Sequence, residues 1–390
     1  MIKDIHLLNL YLNRFLGDLI PIMPILGLLF LDRSFSLSTI SLFFLCLAVT
    51  VLLVEIPAGV LADTKNARLV IIISRLFKLL AFVLLLFATS IPLLCLTAVL
   101  WGIASALDSG AMQSYTFQLV RQKKLSEKFE HIYGYTFTSS LLGLLTAGLI
   151  ASQIGWLGFA TIQYVGIFTL LLCVLSAVTL PHIKETVIEA KKETQALSIT
   201  LKSLLKLPLI LIMLISVGVL AGGVKGALDE YTTILLSDKQ LAIGIIGYII
   251  FGLEILKTTG AIVAVRFKLN ISRQIIILAI LGFSFLLASV GNYLVVIFAL
   301  VLILFIDAIL WVHNDTSIQR HATDHNRATV ASVKNFGTEA IAGSVFLVTW
   351  LFGSEWEVGY LYLAGGILLI VMSFLLFVGY LREKELLKAG

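Results

Sequence analysis

Charged residues are scarce in this chain. Asp, Glu, Lys and Arg together make up 13% of its 390 residues, whereas an average soluble domain carries about 25%. Hydrophobic residues make up 59% of the chain, so the polar side chains are too few to cover the surface of a water-soluble globule. The composition therefore indicates an integral membrane protein.

Residues that bind metals or nucleotides are also few. Cys46, Cys95 and Cys173 all fall in apolar runs, and their odd number and spacing predict neither a disulfide framework nor a metal site. The six histidines lack the spacing of metal ligands, and no glycine-rich phosphate loop occurs. The sequence thus predicts no metal, no cofactor and no enzyme, and it excludes ATP as an energy source acting through this chain.

Long apolar runs dominate what remains. A transmembrane helix needs about 20 apolar residues, and a barrel strand about 10 of alternating polarity. The runs here are long and do not alternate, so they predict an all-α membrane protein. The predicted crossings are 7–31, 37–62, 69–89, 91–119, 131–152, 157–180, 208–236, 241–265, 274–291, 293–317, 329–353 and 358–381.

The polar stretch between the sixth and seventh runs divides the chain. It predicts an N-terminal six-helix bundle at 1–180, a linker at 181–207 and a C-terminal six-helix bundle at 208–390. If the N-terminus is inside, the inner segments hold 20 Lys and Arg residues and the outer loops hold only Arg33 and Lys239. Because short loops rich in Lys and Arg stay cytoplasmic, both termini are predicted to be cytoplasmic. This bias also explains the net charge of +5 without a nucleic-acid partner.

Two glycines occupy corresponding places in the halves. Gly59 closes the second run and Gly260 closes the eighth, at an offset of 201 residues. Transporters are often built from such repeats.

The stretch 59–68, with Gly59, Asp63 and Arg68, resembles the loop 2–3 signature of the major facilitator superfamily. Stretches 55–57 and 327–330 look like ones common in its bacterial drug-exporter-like members. The resemblance implies the major facilitator fold, with Gly59, Asp63 and Arg68 as a cytoplasmic gate. Asp63 is expected in a tight turn, where it accepts backbone N–H groups at the start of the third helix, and Arg68 is expected to pair with it or with a neighbouring helix end.

Charged side chains inside the predicted helices are costly, and they normally face the bundle interior and carry function. Six cations and nine carboxylates fall there. Surplus carboxylates are candidate proton carriers, because burial penalises the charged form. The cations are Arg14, Arg75, Lys78, Lys225, Lys257 and Lys334, and the carboxylates are Asp18, Glu55, Asp108, Asp229, Glu230, Glu254, Asp307, Asp315 and Glu339.

Spacing selects candidates in the first half. Arg14 and Asp18 lie four residues apart, with Tyr11 one turn earlier, so they predict a polar stripe facing a central cavity. The alternative is that Arg14 and Asp18 only neutralise each other. Asp18 and Asp108 are favoured for protonation or for binding a cationic substrate. Pro21 and Pro24, directly after this stripe, predict a break in the first helix.

In the second half, Asp307 lies one turn from Trp311, which suits an amine site. Internal salt bridges are the alternative for Glu254 with Lys257 and for Lys334 with Glu339. The predicted proton-coupling or substrate-binding residues are Arg14, Asp18, Asp108, Asp307 and Glu339. The predicted cavity residues are Tyr11, Lys78, Tyr231, Glu254, Lys257 and Trp311.

The function expected from these features is secondary active transport in the cell (inner) membrane by a monomer. The chain is predicted to export small amphipathic or lipid-like molecules against protons by alternating access between its halves. Antiporters of the family often carry an arginine where this chain has Ala106, and the fifth helix lacks a Gly-Pro pair. Import of a small polar solute, proton-coupled or uncoupled, therefore stays open, as does a membrane enzyme or sensor that has kept the fold.

Overall fold

The structure of the protein is a computed structural model. It describes residues 4–64, 66–183, 208–239, 241–264, 266, 269–321 and 327–389, and the side chains of some residues inside helices are outside this description. The described residues form fourteen α-helices and no strand. These are α1 (Ile5–Asp18), α2 (Leu26–Asp32), α3 (Leu37–Thr64), α4 (Ala67–Phe87), α5 (Ile91–Gln122), α6 (Phe129–Ile154), α7 (Phe159–Val178), α8 (Leu209–Asp229), α9 (Thr232–Ser237), α10 (Ile243–Ala264), α11 (Ile271–Val290), α12 (Tyr293–His321), α13 (Arg327–Phe352) and α14 (Val358–Ala389).

The helices match the predicted crossings. Eleven segments among the described residues are long and apolar enough to cross a membrane, the first being Ile5–Asp32, which combines α1 and α2. Helix α10, with 22 residues, lies where the eighth crossing is predicted. The predicted all-α membrane fold with twelve transmembrane helices is confirmed.

The first crossing is interrupted where two prolines predict a break. Helix α1 ends at Asp18, a 3-10 turn covers Met23–Ile25, and α2 begins at Leu26. Since a proline has no N–H and clashes with the preceding turn, Pro21 and Pro24 prevent a continuous helix. The hydroxyl of Thr169 donates to the Leu19 carbonyl at 2.5 Å, which satisfies a backbone group that would be costly to leave bare in hydrocarbon.

The seventh crossing is interrupted in the same manner but without a proline. Helix α8 ends at Asp229 and α9 begins at Thr232. The Tyr362 hydroxyl donates to the Leu228 carbonyl at 3.0 Å. In both crossings, a side chain from another helix therefore satisfies the backbone at the break.

The chain divides into two compact units. Unit 1 comprises 1–193 with 242–251, and unit 2 comprises 194–241 with 252–390. The core of unit 1 is built from buried side chains of α1, α4 and α5, such as Leu10, Ile71 and Tyr115. The predicted linker, from 184 onwards, lies outside the described residues.

Candidate functional site: two charge clusters

Five ionisable side chains of unit 1 form what we call the basic cluster: Arg14 and Asp18 on α1, Arg75 and Lys78 on α4, and Asp108 on α5. At its centre, Asp108 lies between two arginines. Arg14 Nη1 lies 2.7 Å from Asp108 Oδ2, and Arg75 Nη2 lies 2.9 Å from Asp108 Oδ1. This arrangement holds Asp108 as an anion, since guanidinium groups do not lose their protons in proteins.

Asp18 pairs with a different cation. Lys78 Nζ lies 3.3 Å from Asp18 Oδ1 and donates to the Gly17 carbonyl at 2.7 Å, and the Ser140 hydroxyl donates to the other carboxylate oxygen. Lys78 thus binds the C-terminal end of α1, where a helix favours positive charge. The alternative that Arg14 and Asp18 neutralise each other is wrong, because each has its partner on another helix.

Neutral residues position Arg75. Its Nε donates to Asn13 Oδ1 at 3.2 Å, and the Asn13 amide donates to the Cys173 carbonyl at 3.0 Å. The guanidinium lies against Gly17, where an added Cβ would be 3.3 Å from the Arg75 Cζ. Sequence reasoning missed Asn13 and Ser140. The signal for Asn13 was its place directly before Arg14, and the signal for Ser140 was a polar residue within an apolar run.

The charges of the basic cluster do not balance. Three cations face two carboxylates, which leaves one positive charge in excess. Arg14 Nε is buried and has no hydrogen-bond partner among the described residues. Tyr11, one turn from Arg14, packs against Tyr135 of α6 with ring centroids 6.0 Å apart. The cluster therefore combines spare positive charge with an aromatic neighbour.

Unit 2 contains a second group, which we call the acidic cluster: Lys225 and Asp229 on α8 and Asp307 on α12. Lys225 pairs with Asp229, as their spacing of four residues predicts, and its Nζ lies 3.8 Å from Asp307 Oδ2. The Lys225 and Asp307 side chains are only 8% and 14% exposed, whereas the Asp229 side chain is 40% exposed. One buried cation thus serves two carboxylates, and the excess charge is negative.

The two clusters repeat one pattern. Arg14 and Asp18 recur as Lys225 and Asp229, each at an offset of 211 residues. In both units the helix that carries the pair ends at its aspartate. The cation of the pair also lies near an aspartate in the fourth crossing of the same half, which is Asp108 for Arg14 and Asp307 for Lys225. The recurrence of this spacing in the first crossing of each half was a signal that sequence reasoning did not use.

The other charged residues predicted for the site lie in unit 2, outside the acidic cluster. Lys257 Nζ lies 3.8 Å from Glu254 Oε2, and Lys334 pairs with Asp315. Glu339 lies on an exposed part of α13.

The predicted cavity residue Tyr231 differs from expectation. Tyr231 is fully buried against Phe346, with ring centroids 6.1 Å apart, which is a position in the core rather than in a cavity. Trp311 is 58% exposed, and the close ionic partner of Asp307 is Lys225. No group of three or more metal-binding side chains occurs in the described part of the chain.

The predicted gate is described only in part. The surroundings of Gly59 and the side chain of Asp63 lie outside the described residues. Helix α3 continues to Thr64, and the side chain of Asn66 accepts from the Arg68 N–H at 3.1 Å at the start of α4. Asn66 therefore caps α4, and the predicted capping by Asp63, whose side chain lies outside the described residues, stays a prediction. Arg68 donates to the Val178 carbonyl at the end of α7, in line with the predicted contact to a neighbouring helix end.

A family model described as Major Facilitator Superfamily matches residues 8–347. A curated relative is the "Uncharacterized MFS-type transporter YxaM" of Bacillus subtilis (strain 168), 21% identical over 230 residues. That match spans 58% of this chain and 57% of the relative, which is less than two thirds of the relative's length.

Solved transporter structures share the fold. The crystal structure of nucleoside transporter NupG is similar with a TM-score of 0.76 at 16% identity, covering 97% of this chain and 99% of that one. A POT family transporter in complex with 5-aminolevulinic acid is similar with a TM-score of 0.70 at 13% identity, covering 95% of each chain. At these identities the similarity shows the fold alone.

Proposed function

Because the chain belongs to the Major Facilitator Superfamily, and so to a family of transporters rather than enzymes, we propose that it is a proton-coupled secondary transporter. It exports small amphipathic or lipid-like molecules by alternating access, as a monomer in the cell (inner) membrane. The acidic cluster carries the proposal of proton coupling. The resemblance of 55–57 and 59–68 to drug-exporter-like members supports export.

The acidic cluster needs a proton to become neutral. Lys225 pairs more closely with Asp229, so the charge of Asp307, whose side chain is only 14% exposed, is incompletely compensated, and such a charge is costly in a low-dielectric interior. Asp229 is the last residue of α8, and a helix C-terminus disfavours negative charge. A single proton on Asp307 removes the excess.

Asp307 is the proton carrier in this proposal. It lies farther from Lys225 than Asp229 does, so its charge is the less well compensated of the two. Asp18 and Asp108, which the sequence favours, each have cations of the basic cluster as partners. When Asp307 is protonated, Lys225 pairs with Asp229 alone, and when the proton leaves, Lys225 is shared.

The test uses purified protein in proteoliposomes that contain a trapped pH indicator. A panel of amphipathic dyes is added, and proton movement and dye movement are recorded together. We expect dye flux that is driven by a pH gradient in the parent chain. In Asp307→Asn the gradient should no longer drive flux, because the variant cannot carry a proton at this position.

The matched control is Asp238→Asn, an aspartate in the exposed loop after α9, which should behave as the parent does. Gradient-driven flux that survives in Asp307→Asn would contradict the proposal.

Proton-coupled import of a small polar solute is the second candidate. It is favoured by Ala106, a buried residue at the place where antiporters of the family often carry arginine. The same vesicles separate the two candidates. Export requires solute and proton to move in opposite directions, whereas coupled import requires them to move together.

A further inference from the structure

We propose that the basic cluster of unit 1 binds an anionic group of the transported molecule, a carboxylate or a phosphate, through Arg14. This inference rests on the proposed function and names the class of substrate. It replaces the expectation of a cationic substrate, because Asp18 and Asp108 already have cations as partners.

The charge balance within the cluster calls for an anion. Arg14 and Arg75 share Asp108, whereas Lys78 has Asp18 as its own partner, so three cations face two carboxylates and the excess lies on the two arginines. An excess charge at this depth is costly unless it is paired. A ligand with one negative charge would bring the cluster to neutrality.

Arg14 is the cation that remains able to bind. Arg75 Nη2 also lacks a hydrogen-bond partner among the described residues, but it forms an ion pair with Asp108, and the Arg75 side chain is only 2% exposed, so a ligand does not reach it. The ammonium of Lys78 is occupied by Asp18 and the Gly17 carbonyl. Arg14 uses Nη1 for Asp108, its side chain is 21% exposed, and its buried Nε has no partner among the described residues.

The geometry of the side chain suits an oxyanion. A guanidinium offers donors in a planar fork, which match two oxygens of a carboxylate or phosphate. The pair of Tyr11 and Tyr135 places aromatic surface one helical turn from this fork. The ligand is therefore an amphipathic anion, with its charged group on Arg14 and its apolar part near the tyrosines.

Equilibrium binding to the purified full chain, without any gradient, tests the inference. The probes are benzoate and benzyl phosphate, with benzamide as the neutral analogue of benzoate, and the readout is the shift in melting temperature as each probe is titrated. We expect both anions to bind and benzamide not to bind. Arg14→Gln should weaken the affinity for benzoate at least about tenfold, since hydrogen bonds to charged groups contribute about 1.5–3 kcal/mol.

The matched control is Arg121→Gln, an exposed arginine in the last turn of α5, which should leave the affinity unchanged. If Arg14→Gln does not fold, Arg14→Lys keeps a cation beside Asp108 and removes the planar fork, and it should also weaken the affinity for benzoate. Equal affinity for benzamide and benzoate, an unchanged affinity in the Arg14 variant, or no binding of either anion would overturn the inference.

Repeating the benzoate titration in nanodiscs shows whether the anionic group belongs to a lipid headgroup or to a soluble molecule. If anionic lipid supplies the group, nanodiscs that contain phosphatidylglycerol should weaken benzoate binding relative to phosphatidylcholine alone. If the ligand is soluble, the two should give equal affinity. If the parent chain shows proton-coupled flux but binds neither anion, this inference alone is refuted. If it binds the anions but shows no proton-coupled flux, the proposed function alone is refuted.

Discussion

Arg75 and Arg14 share one carboxylate but have different roles. Arg75 is almost fully buried and is held by Asp108 and Asn13. Removing one partner of a buried ion pair costs about 3–5 kcal/mol, because the other charge is left uncompensated. Arg75 is therefore a structural residue that fixes Asp108, whereas Arg14 keeps donor capacity for a ligand.

At the residue scale, Asp4 makes stability depend on pH. It lies just before α1, where it accepts from Lys123 Nζ at 2.6 Å and from the His6 N–H at 3.0 Å. The hydrogen bond from Lys123, with the smaller contribution of the His6 N–H, lowers the pKa of Asp4 below its usual value, although partial burial opposes this. Because the folded-state pKa is the lower one, the pair stabilises the fold above the unfolded pKa of about 3.9 and loses this effect as the pH falls through the folded value.

The measurement compares the melting temperatures of the parent and Asp4→Asn from pH 7 to pH 3. Asparagine also caps helices well, so the variant removes mainly the charge. The parent should be the more stable at pH 7, and the difference should shrink as the pH falls below about 3.9. A difference that stays constant over the whole range would show that Asp4 does not act through its charge.

At the element scale, one glycine permits the packing of α1 on α6. An ideal Cβ added at Gly143 would lie 2.3 Å from the Phe15 carbonyl oxygen, so the two backbones approach more closely than any side chain allows. We expect Gly143→Ala to push the helices apart and to lower the free energy of unfolding by about 1–3 kcal/mol, the usual cost of overpacking.

The matched control for this change is Gly134→Ala on the same helix, where an added Cβ meets no atom within 4 Å. Alanine should be neutral or stabilising there, by up to about 1 kcal/mol, because it is the better helix former. Unfolding in detergent at increasing denaturant measures both variants. Equal effects of the two substitutions would mean that the contact with Phe15 does not decide the outcome.

The breaks in the helices show what local sequence can and cannot predict. Pro21 and Pro24 predict the break in the first crossing because proline acts on its own turn. The break after Asp229 has no such local signal. The group that satisfies its carbonyl is Tyr362, which is 134 residues away along the chain, so tertiary contact and not propensity stabilises it.

At the scale of the whole molecule, hydrophobic runs alone predict the number, type and order of the crossings, because burial in lipid imposes the length of each helix. The partners of the charged residues could not be predicted in the same way. Spacing along a helix shows that Arg14 and Asp18 share a face, but the rotation of α1 against α4 and α5 decides that they pair with Asp108 and Lys78. Rotation depends on packing between distant segments, and a single sequence does not contain it in a readable form.

The distribution of positive charge predicts the orientation of the whole chain. Twenty Lys and Arg residues fall in one set of segments and two in the other, and the more basic set stays in the cytoplasm.

Thr89, between α4 and α5, and Gln122, at the end of α5, are both exposed, and one helix separates them. In intact cells, a membrane-impermeant maleimide should label Thr89→Cys and not Gln122→Cys, and inside-out vesicles should give the reverse. The parent chain, whose three cysteines all lie within helices, sets the background. Labelling of Gln122→Cys alone in intact cells would mean that the chain inserts with its termini outside, and that the charge bias does not control its orientation.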